Sequence, residues 1–209
     1  MKPFFSVVTV VWNNVLTIER TISSVLSQSF TNFEYIIIDG KSDDGTLGVI
    51  KKYQNDSRLK LISEKDSGIY DAMNKGIKLS SGTFIHLLNS DDYYSSNKIL
   101  ETYHNYIVKK KLKQSIIYAK MNLFKENKFL KVMDPYKSYL KKNMRMNHPT
   151  WFVSKQIYNK IGNYDTKYKI AADYDFALRC LKNNCDFHQI NYPTINFALG
   201  GISDISKTT

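Results

Sequence analysis

Phe4 to Trp12 (FFSVVTVVW) is β-branched and aromatic almost throughout, the pattern of a strand buried on both faces of a parallel sheet, and Asn13 and Asn14 end it. Leu16 to Gln28 then sets Ile18, Ile22, Val25 and Leu26 at helical spacing, with Thr17 placed to cap the helix. Phe33 to Ile38 repeats the apolar strand signature and runs into the turn-rich stretch from Asp39 to Thr46. A helix around Leu47 to Tyr53, a short strand at Leu59 to Ile62 and a helix over Tyr70 to Lys78 follow. Strand alternating with helix is the order of a doubly wound α/β sheet, in which ligands sit outside the carboxyl ends of the strands.

The next strand, Thr83 to Leu88, ends in Asn89-Ser90-Asp91-Asp92. Beyond it the pattern loosens. Ile99 to Lys113 reads as a helix, Ser115 to Phe124 and Phe129 to Met133 as strands, Ser154 to Ile161 as a short helix and Asp173 to Asn183 as a buried one. No repeat, low-complexity tract or linker interrupts the chain. Its 209 residues are expected to form one domain, in two halves at 1–92 and 93–209.

Charge changes the picture in one place. Of the formal net charge of +11, the stretch from Lys109 to Arg145 carries +10, with Glu126 and Asp134 its acids. Such a face stays solvated, steers an anion, or meets an anionic surface. Cys180 and Cys185 are too far apart for a CxxC pair and have no second pair to complete a zinc site, so two free thiols in a reducing compartment are expected. Phe4 to Trp12 is far shorter than the roughly 20 residues a bilayer requires and has no cleavage site after it, so a cytoplasmic location is expected.

Asp39, Asp66 and the Asn89 to Asp92 cluster all fall at the same expected edge of the sheet. A lone Asp after a strand is a turn former or cap. Several on one rim repel each other unless a cation or hydrogen-bond donors compensate them. A hard divalent cation, Mn²⁺ or Mg²⁺, held by few carboxylates keeps positions free for two phosphate oxygens and offsets the charge of a departing diphosphate. Asp91 is the expected metal ligand, with Asn89 and Asp92 on the ribose or behind the metal.

Six segments in order carry a family resemblance: Ser6 to Val10, Ile38 to Thr46, Asp66 to Gly76, Leu88 to Asp92, His148 to Phe152 and Ala171 to Phe176. Over residues 6 to about 180 the chain resembles the family 2 inverting glycosyltransferases of GT-A fold, of the bacterial type that builds surface polysaccharide such as O-antigen. The resemblance implies a Rossmann-like, mostly parallel sheet flanked by helices, with residues 1–92 as the nucleotide-sugar-binding half and 93–209 as an acceptor-side extension. It implies that Thr9 and Asp39 contact the base, Asp39 accepting from a uracil N–H of a UDP-sugar, and that Asp66, Asn74 and Lys75 approach the ribose or diphosphate. Asn89-Ser90-Asp91 stands in place of the DxD metal motif, departing from it at Asn89.

By the same resemblance Asp173 is the base that deprotonates the acceptor hydroxyl as it attacks the anomeric carbon from the face opposite the diphosphate, which inverts the centre. Otherwise Asp173 reads as a helix cap. His148 reads as an acceptor contact, a metal ligand or a packed residue, and Trp151 and Phe152 as sugar-stacking or core. The acceptor is expected to be a glycan or a lipid-pyrophosphate-linked sugar. The basic segment, with Tyr136, Tyr139, Leu140 and Met144 interleaved, is expected to dock peripherally on the anionic inner leaflet of the cytoplasmic membrane.

Three rivals compete. Asp44-Gly45-Thr46 lacks the preceding carboxylate of a HAD-type nucleophile loop, because Ser42 stands there. Asn13 to Leu16 offers no glycine-rich, Arg-containing loop for a sugar nucleotidyltransferase. A non-catalytic module binding RNA or anionic membrane through the basic segment leaves the acidic rim unexplained, so nucleic acid is not the expected partner.

Overall fold

A computed structural model describes residues 2–137 and 146–200. Its first half runs β1 (Phe5–Val11), α1 (Ile18–Leu26), β2 (Phe33–Asp39), α2 (Thr46–Lys51), β3 (Leu59–Ser63), α3 (Ile69–Leu79) and β4 (Phe84–Leu87). The second half adds β5 (Tyr93–Tyr94), α4 (Ile99–Lys110), β6 (Ser115–Lys125), β7 (Lys128–Met133), β8 (Phe152–Ser154), α5 (Lys155–Ile161), α6 (Ala172–Lys182) and β9 (Asp186–Ala198). A 3-10 turn at His148–Thr150 leads into β8.

The strands lie in the order β3-β2-β1-β4-β8-β6-β9-β5, with β7 paired to β6. The first four are parallel, β8 runs against both β4 and β6, and β6 is parallel to β9. This is the expected α/β class, a mostly parallel sheet flanked by helices.

All seven residues of β1 are buried, and their alternation divides the core. Phe5, Val7 and Val11 pack with Ile18, Ile22 and Val25 of α1 and Leu100 and Tyr103 of α4. Val8 and Val10 pack on the other face with Ala72, Met73 and Ile77 of α3 and Phe176 of α6. Each aliphatic side chain so enclosed contributes roughly 1.5–3 kcal/mol. α3 lies so close to β1 that a Cβ on Gly76 would run into Val8 Cγ1, so only glycine fits there.

Several boundaries differ from expectation. α1 starts at Ile18 because Leu16 is 92% exposed and outside the apolar stripe. Thr17 does not cap α1 through its side chain; its hydroxyl reaches Ser90 O at 2.8 Å. α4 stops at Lys110, with Lys111 left-handed at φ 54°. The short β8 and the 13-residue β9 are strands the sequence pattern did not announce. In β9 Pro193 cannot donate to a ladder, and the β6 register shifts on either side of its partner Lys120. No helix among the described residues is long and apolar enough to cross a membrane. Tyr139, Leu140, Met144, Lys141, Lys142 and Arg145 of the basic segment lie outside the described residues.

Candidate active site

Loops at the carboxyl ends of β1, β2 and β4 are bound to one another by two asparagines. Asn13 N donates to Ser42 Oγ at 2.9 Å and Asn13 Nδ2 to Asp43 Oδ1 at 2.8 Å. Asn14 N reaches Thr46 Oγ1 and Asn14 Nδ2 reaches Ser90 Oγ, both at 2.8 Å. Val15 N uses Asp44 Oδ2 at 3.0 Å. The two carboxylates of the Asp43-Asp44 turn are therefore committed to shaping the rim.

Asp39 ends β2 and is fully buried, with Ser63 Oγ donating to one oxygen at 2.6 Å and Ser42 N to the other at 3.2 Å. Asp66 accepts from Gly68 N at 2.9 Å. Its second oxygen lies 2.6 Å from where a Cβ on Gly40 would stand, and Trp12 Cβ is 3.4 Å from that same point. Glycine at position 40 thus lets Asp66 close over the end of β2 beside Trp12, a residue 68% exposed. Trp12 was read only as the end of a strand; a large aromatic breaking the burial of an otherwise apolar strand is the signal that could have singled it out.

Other expected nucleotide contacts are occupied elsewhere. Thr9 lies within the core with no exposure and its hydroxyl meets Tyr35 Oη at 3.0 Å, because odd positions of β1 face α1 and not the rim. The Asn74 amide is spent at both ends on the Tyr164 backbone, at 2.9 and 3.0 Å. Lys75 folds back on its own loop, bonding Lys65 O at 2.7 Å and Glu64 at 3.0 Å. Ser90 is buried and serves as the acceptor for Asn14. These four hold the frame.

The Asn89 to Asp92 cluster splits in two. Asp92 is fully buried and accepts from Ala198 N at 3.1 Å, latching the end of β9. Burial, and then the neighbouring Asp91 charge, raise its carboxyl well above the ordinary range. Asp91 is half-buried, and burial raises its carboxyl too, against the opposing pull of its own backbone N–H and of Arg20. Arg20 donates through Nη2 to Asp91 O at 3.2 Å and through Nη1 to Asn127 Oδ1 at 2.9 Å, with its guanidinium 4.3 Å from the centre of the Tyr93 ring.

Two buried polar atoms around this segment lack a hydrogen-bond partner among the described residues: Asn89 Oδ1 and Arg20 Nε. An acceptor and a donor left unsatisfied together fit a site for a cation with an anion. The oxygen donors suited to a hard cation are the Asp91 carboxylate and Asn89 Oδ1. Among the described residues no three His, Cys, Asp or Glu side chains are grouped to hold a metal by themselves.

Asp173 lies in the first turn of α6, one residue past its start and two past Ala171, the left-handed residue in the cap position at φ 69°. It is not the cap. Tyr70 Oη, at the start of α3, donates to Asp173 Oδ1 at 3.2 Å. Tyr70, Asn89, His148 and Asp173 line one wall of a cleft of about 660 Å³, and Met121, Lys131, Val132 and Met133 contribute to its lining from β6 and β7.

His148 Nε2 bonds Tyr164 Oη at 2.9 Å, and burial lowers the imidazole pKa against the pull of the Asp173 charge. The neutral ring so favoured has one nitrogen already engaged. Trp151 is 2% exposed and donates Nε1–H to Met146 O at 2.6 Å, while Phe152 stacks on Tyr103 at 3.8 Å. Both aromatics pack in the core, with the Trp151 indole N–H already engaged.

The family model for glycosyl transferase family 2 matches residues 6–162, most of the chain. The chain belongs to that family. This family 2 glycosyltransferase is 27% identical over 184 residues to the PGL/p-HBAD biosynthesis glycosyltransferase of Mycobacterium tuberculosis, covering 87% of this chain and 71% of that one. It is 37% identical over 100 residues to the Bacillus subtilis glycosyltransferase TuaG, assigned to teichuronic acid biosynthesis, covering 47% of this chain and 40% of that one.

In fold it resembles Staphylococcus aureus TarS, solved in complex with UDP-GlcNAc, with a TM-score of 0.80 at 22% identity over all of this chain and 62% of that one. The Pyrobaculum calidifontis mannosyltransferase PcManGT, solved with GDP-Man and Mn²⁺, gives 0.76 at 13% identity, covering 99% of this chain and 60% of that one. The chain thus spans about three fifths of the length of these solved structures. Family membership favours the enzyme reading over a non-catalytic basic module.

Proposed function

We propose that the chain transfers a sugar from a nucleoside diphosphate donor to a hydroxyl of a glycan or lipid-linked acceptor by a single, inverting displacement in surface-polysaccharide synthesis. The observation that carries this reading is the shared cleft: Asn89, from the expected diphosphate end, and Asp173, the expected base, line the same 660 Å³ space. Residues 1–92 supply the donor side and residues from 93 onward most of the acceptor side.

On the donor side the base is placed between Trp12 and the Asp39–Asp66 edge, where the exposed indole offers a stacking face. Uridine is the preferred base, on the TarS complex with UDP-GlcNAc and the buried acceptor oxygens of Asp39. Asp91 and Asn89 would hold a divalent cation, for which the PcManGT complex with Mn²⁺ is the precedent. Once bound, such a cation offsets the charge that develops on the departing diphosphate.

Asp173 accepts the proton of the incoming hydroxyl through the oxygen that Tyr70 leaves free, while Tyr70 fixes the carboxylate by its bond to Oδ1. His148, held by Tyr164, shapes the wall beside that base and stays uncharged.

A thermal-shift panel of UDP-, GDP- and dTDP-sugars with and without Mn²⁺ tests the donor, because a ligand that binds only the native state raises the melting temperature. Asp173→Asn is expected to keep the shift given by the preferred donor and to lose transfer. An Asp173→Asn protein with undiminished turnover would remove the proposed base. NMR of the product anomer tests inversion.

A further inference from the structure

The β6–β7 hairpin exposes apolar and basic side chains together. Five consecutive residues of β7, Lys128 to Val132, are exposed, and three of them are apolar: Phe129 at 55%, Leu130 at 49% and Val132 at 40%. β7 pairs only with β6, so its other side is an open edge among the described strands. Lys125, Lys128 and Lys131 are exposed around these residues, and none has an ion pair among the described residues. Of the nearby acids, Asp134 is committed to Lys120 at 2.8 Å and Glu126 sits in the turn.

Lysines on a free edge strand can serve to discourage strand pairing, but that purpose is served by charge and is undone by leaving Phe, Leu and Val in water beside it. Apolar groups ringed by unpaired lysines match a different medium, a bilayer interface, where the hydrocarbon enters between headgroups and the ammonium groups meet lipid phosphates.

The hairpin is also continuous with the cleft. Val132 lines the cleft and is exposed, and Leu130 is the next residue on the same face of the strand. An apolar strip therefore leads from the cleft along β7 toward the turn. At that turn Asn127 receives the Arg20 bond at 2.9 Å, and Arg20 in turn holds the Asp91 carbonyl at 3.2 Å.

We propose that the β6–β7 hairpin is the surface by which this protein seats on an anionic lipid bilayer, with the Leu130–Val132 face guiding the lipid of the acceptor toward the cleft. Guidance of the acceptor rests on the transfer reading given above. Seating on the bilayer does not.

The test is flotation of the full chain with phosphatidylcholine vesicles, with and without one third phosphatidylglycerol. Thermal shift with the preferred sugar nucleotide is run in parallel, so that loss of the donor reading is seen separately from loss of lipid binding. The expected result is flotation that requires phosphatidylglycerol and weakens as salt is raised. The double variant Lys125→Gln, Lys128→Gln is expected to lower the partition coefficient roughly thirtyfold. Leu130→Ser lowers it as well, and both variants keep the wild-type melting temperature and donor shift.

Absence of flotation on the mixed vesicles would overturn the proposal, as would flotation that ignores both variants. It would also fall if light scattering gave a dimer that Leu130→Ser dissolves while no vesicle is bound, since the face would then belong to a second copy.

Discussion

Tyr70 and Asp173, 103 residues apart in sequence, meet at 3.2 Å, the phenol donating to carboxylate Oδ1. The contact joins the first turn of α3, just beyond the loop that carries Asp66, to the first turn of α6. Burial and the adjacent Asp173 charge both raise the Tyr70 pKa, so the phenol keeps its proton and remains a donor at any working pH. A hydrogen bond to an ionised group contributes about 1.5–3 kcal/mol. Tyr70→Phe is therefore expected to lower kcat on the order of ten- to a hundredfold with little change in the KM for donor, measured at saturating acceptor. An unchanged kcat would show that Asp173 needs no such anchor.

Asp91 is a half-buried carboxylate whose desolvation Arg20 offsets only in part. Removing an uncompensated charge stabilises a fold, while removing a ligand oxygen weakens a cation site. Asp91→Asn is expected to raise the melting temperature of the ligand-free protein and to abolish the extra stabilisation that Mn²⁺ gives with a sugar nucleotide. A variant that keeps the full Mn²⁺-dependent shift would take Asp91 out of the site.

What could be read in advance follows from how each residue makes its contacts. β1 and β2 are apolar at nearly every position, so local pattern and tertiary burial agree, and their course was evident from the sequence. β9 interrupts its apolar residues with Pro193 and polar groups and is held by pairing to β6, a contact distant in sequence, so no local period announces it. In the candidate site, the polar end of β4 brought Asn89 to attention and the family resemblance brought Asp173, and the two share a cleft. The same motifs gave equal weight to Asn74, Lys75, Ser90 and Asp92. Only the three-dimensional partners reveal that these hold Tyr164, the β3–α3 loop, Asn14 and Ala198. Arg20 escaped notice because a lone Arg on an amphipathic helix looks like any solvated charge until Asp91, Tyr93 and Asn127 are placed around it.

Glu34 is the second residue of β2, 6% exposed, and was passed over in an otherwise apolar run. Burial would raise its pKa, but Lys60, the Ser6 hydroxyl, and the backbone and hydroxyl of Ser81 outweigh it and lower the value from 4.5 to about 2. A depressed carboxylate contributes stability that is complete above its unfolded pKa and is lost as pH falls through the folded one. Here that contribution is about 3 kcal/mol, fading between roughly pH 4.5 and 2. Urea titrations across that range are expected to lose stability steeply for the wild type, and Glu34→Gln should flatten the slope while lowering stability at pH 7. A slope unchanged in Glu34→Gln would assign the acid sensitivity elsewhere.

Gly76 and Val8 set how closely α3 approaches β1, and through α3 they set where Tyr70 stands. A Cβ at position 76 meets Val8 Cγ1 inside the core packed between helix and strand. Gly76→Ala should therefore cost about 1–3 kcal/mol through overpacking, even though alanine favours a helix by roughly 1 kcal/mol over glycine. Because the clash involves a single methyl group, Val8→Ala in the same chain should recover part of the loss, making the double variant more stable than the sum of the single effects. Denaturant midpoints for the four proteins of the cycle measure that coupling. An additive cycle would mean that α3 moves off β1 to make room, and Tyr70→Phe and Gly76→Ala would then be expected to slow transfer by the same route, the loss of the Tyr70 hold on Asp173.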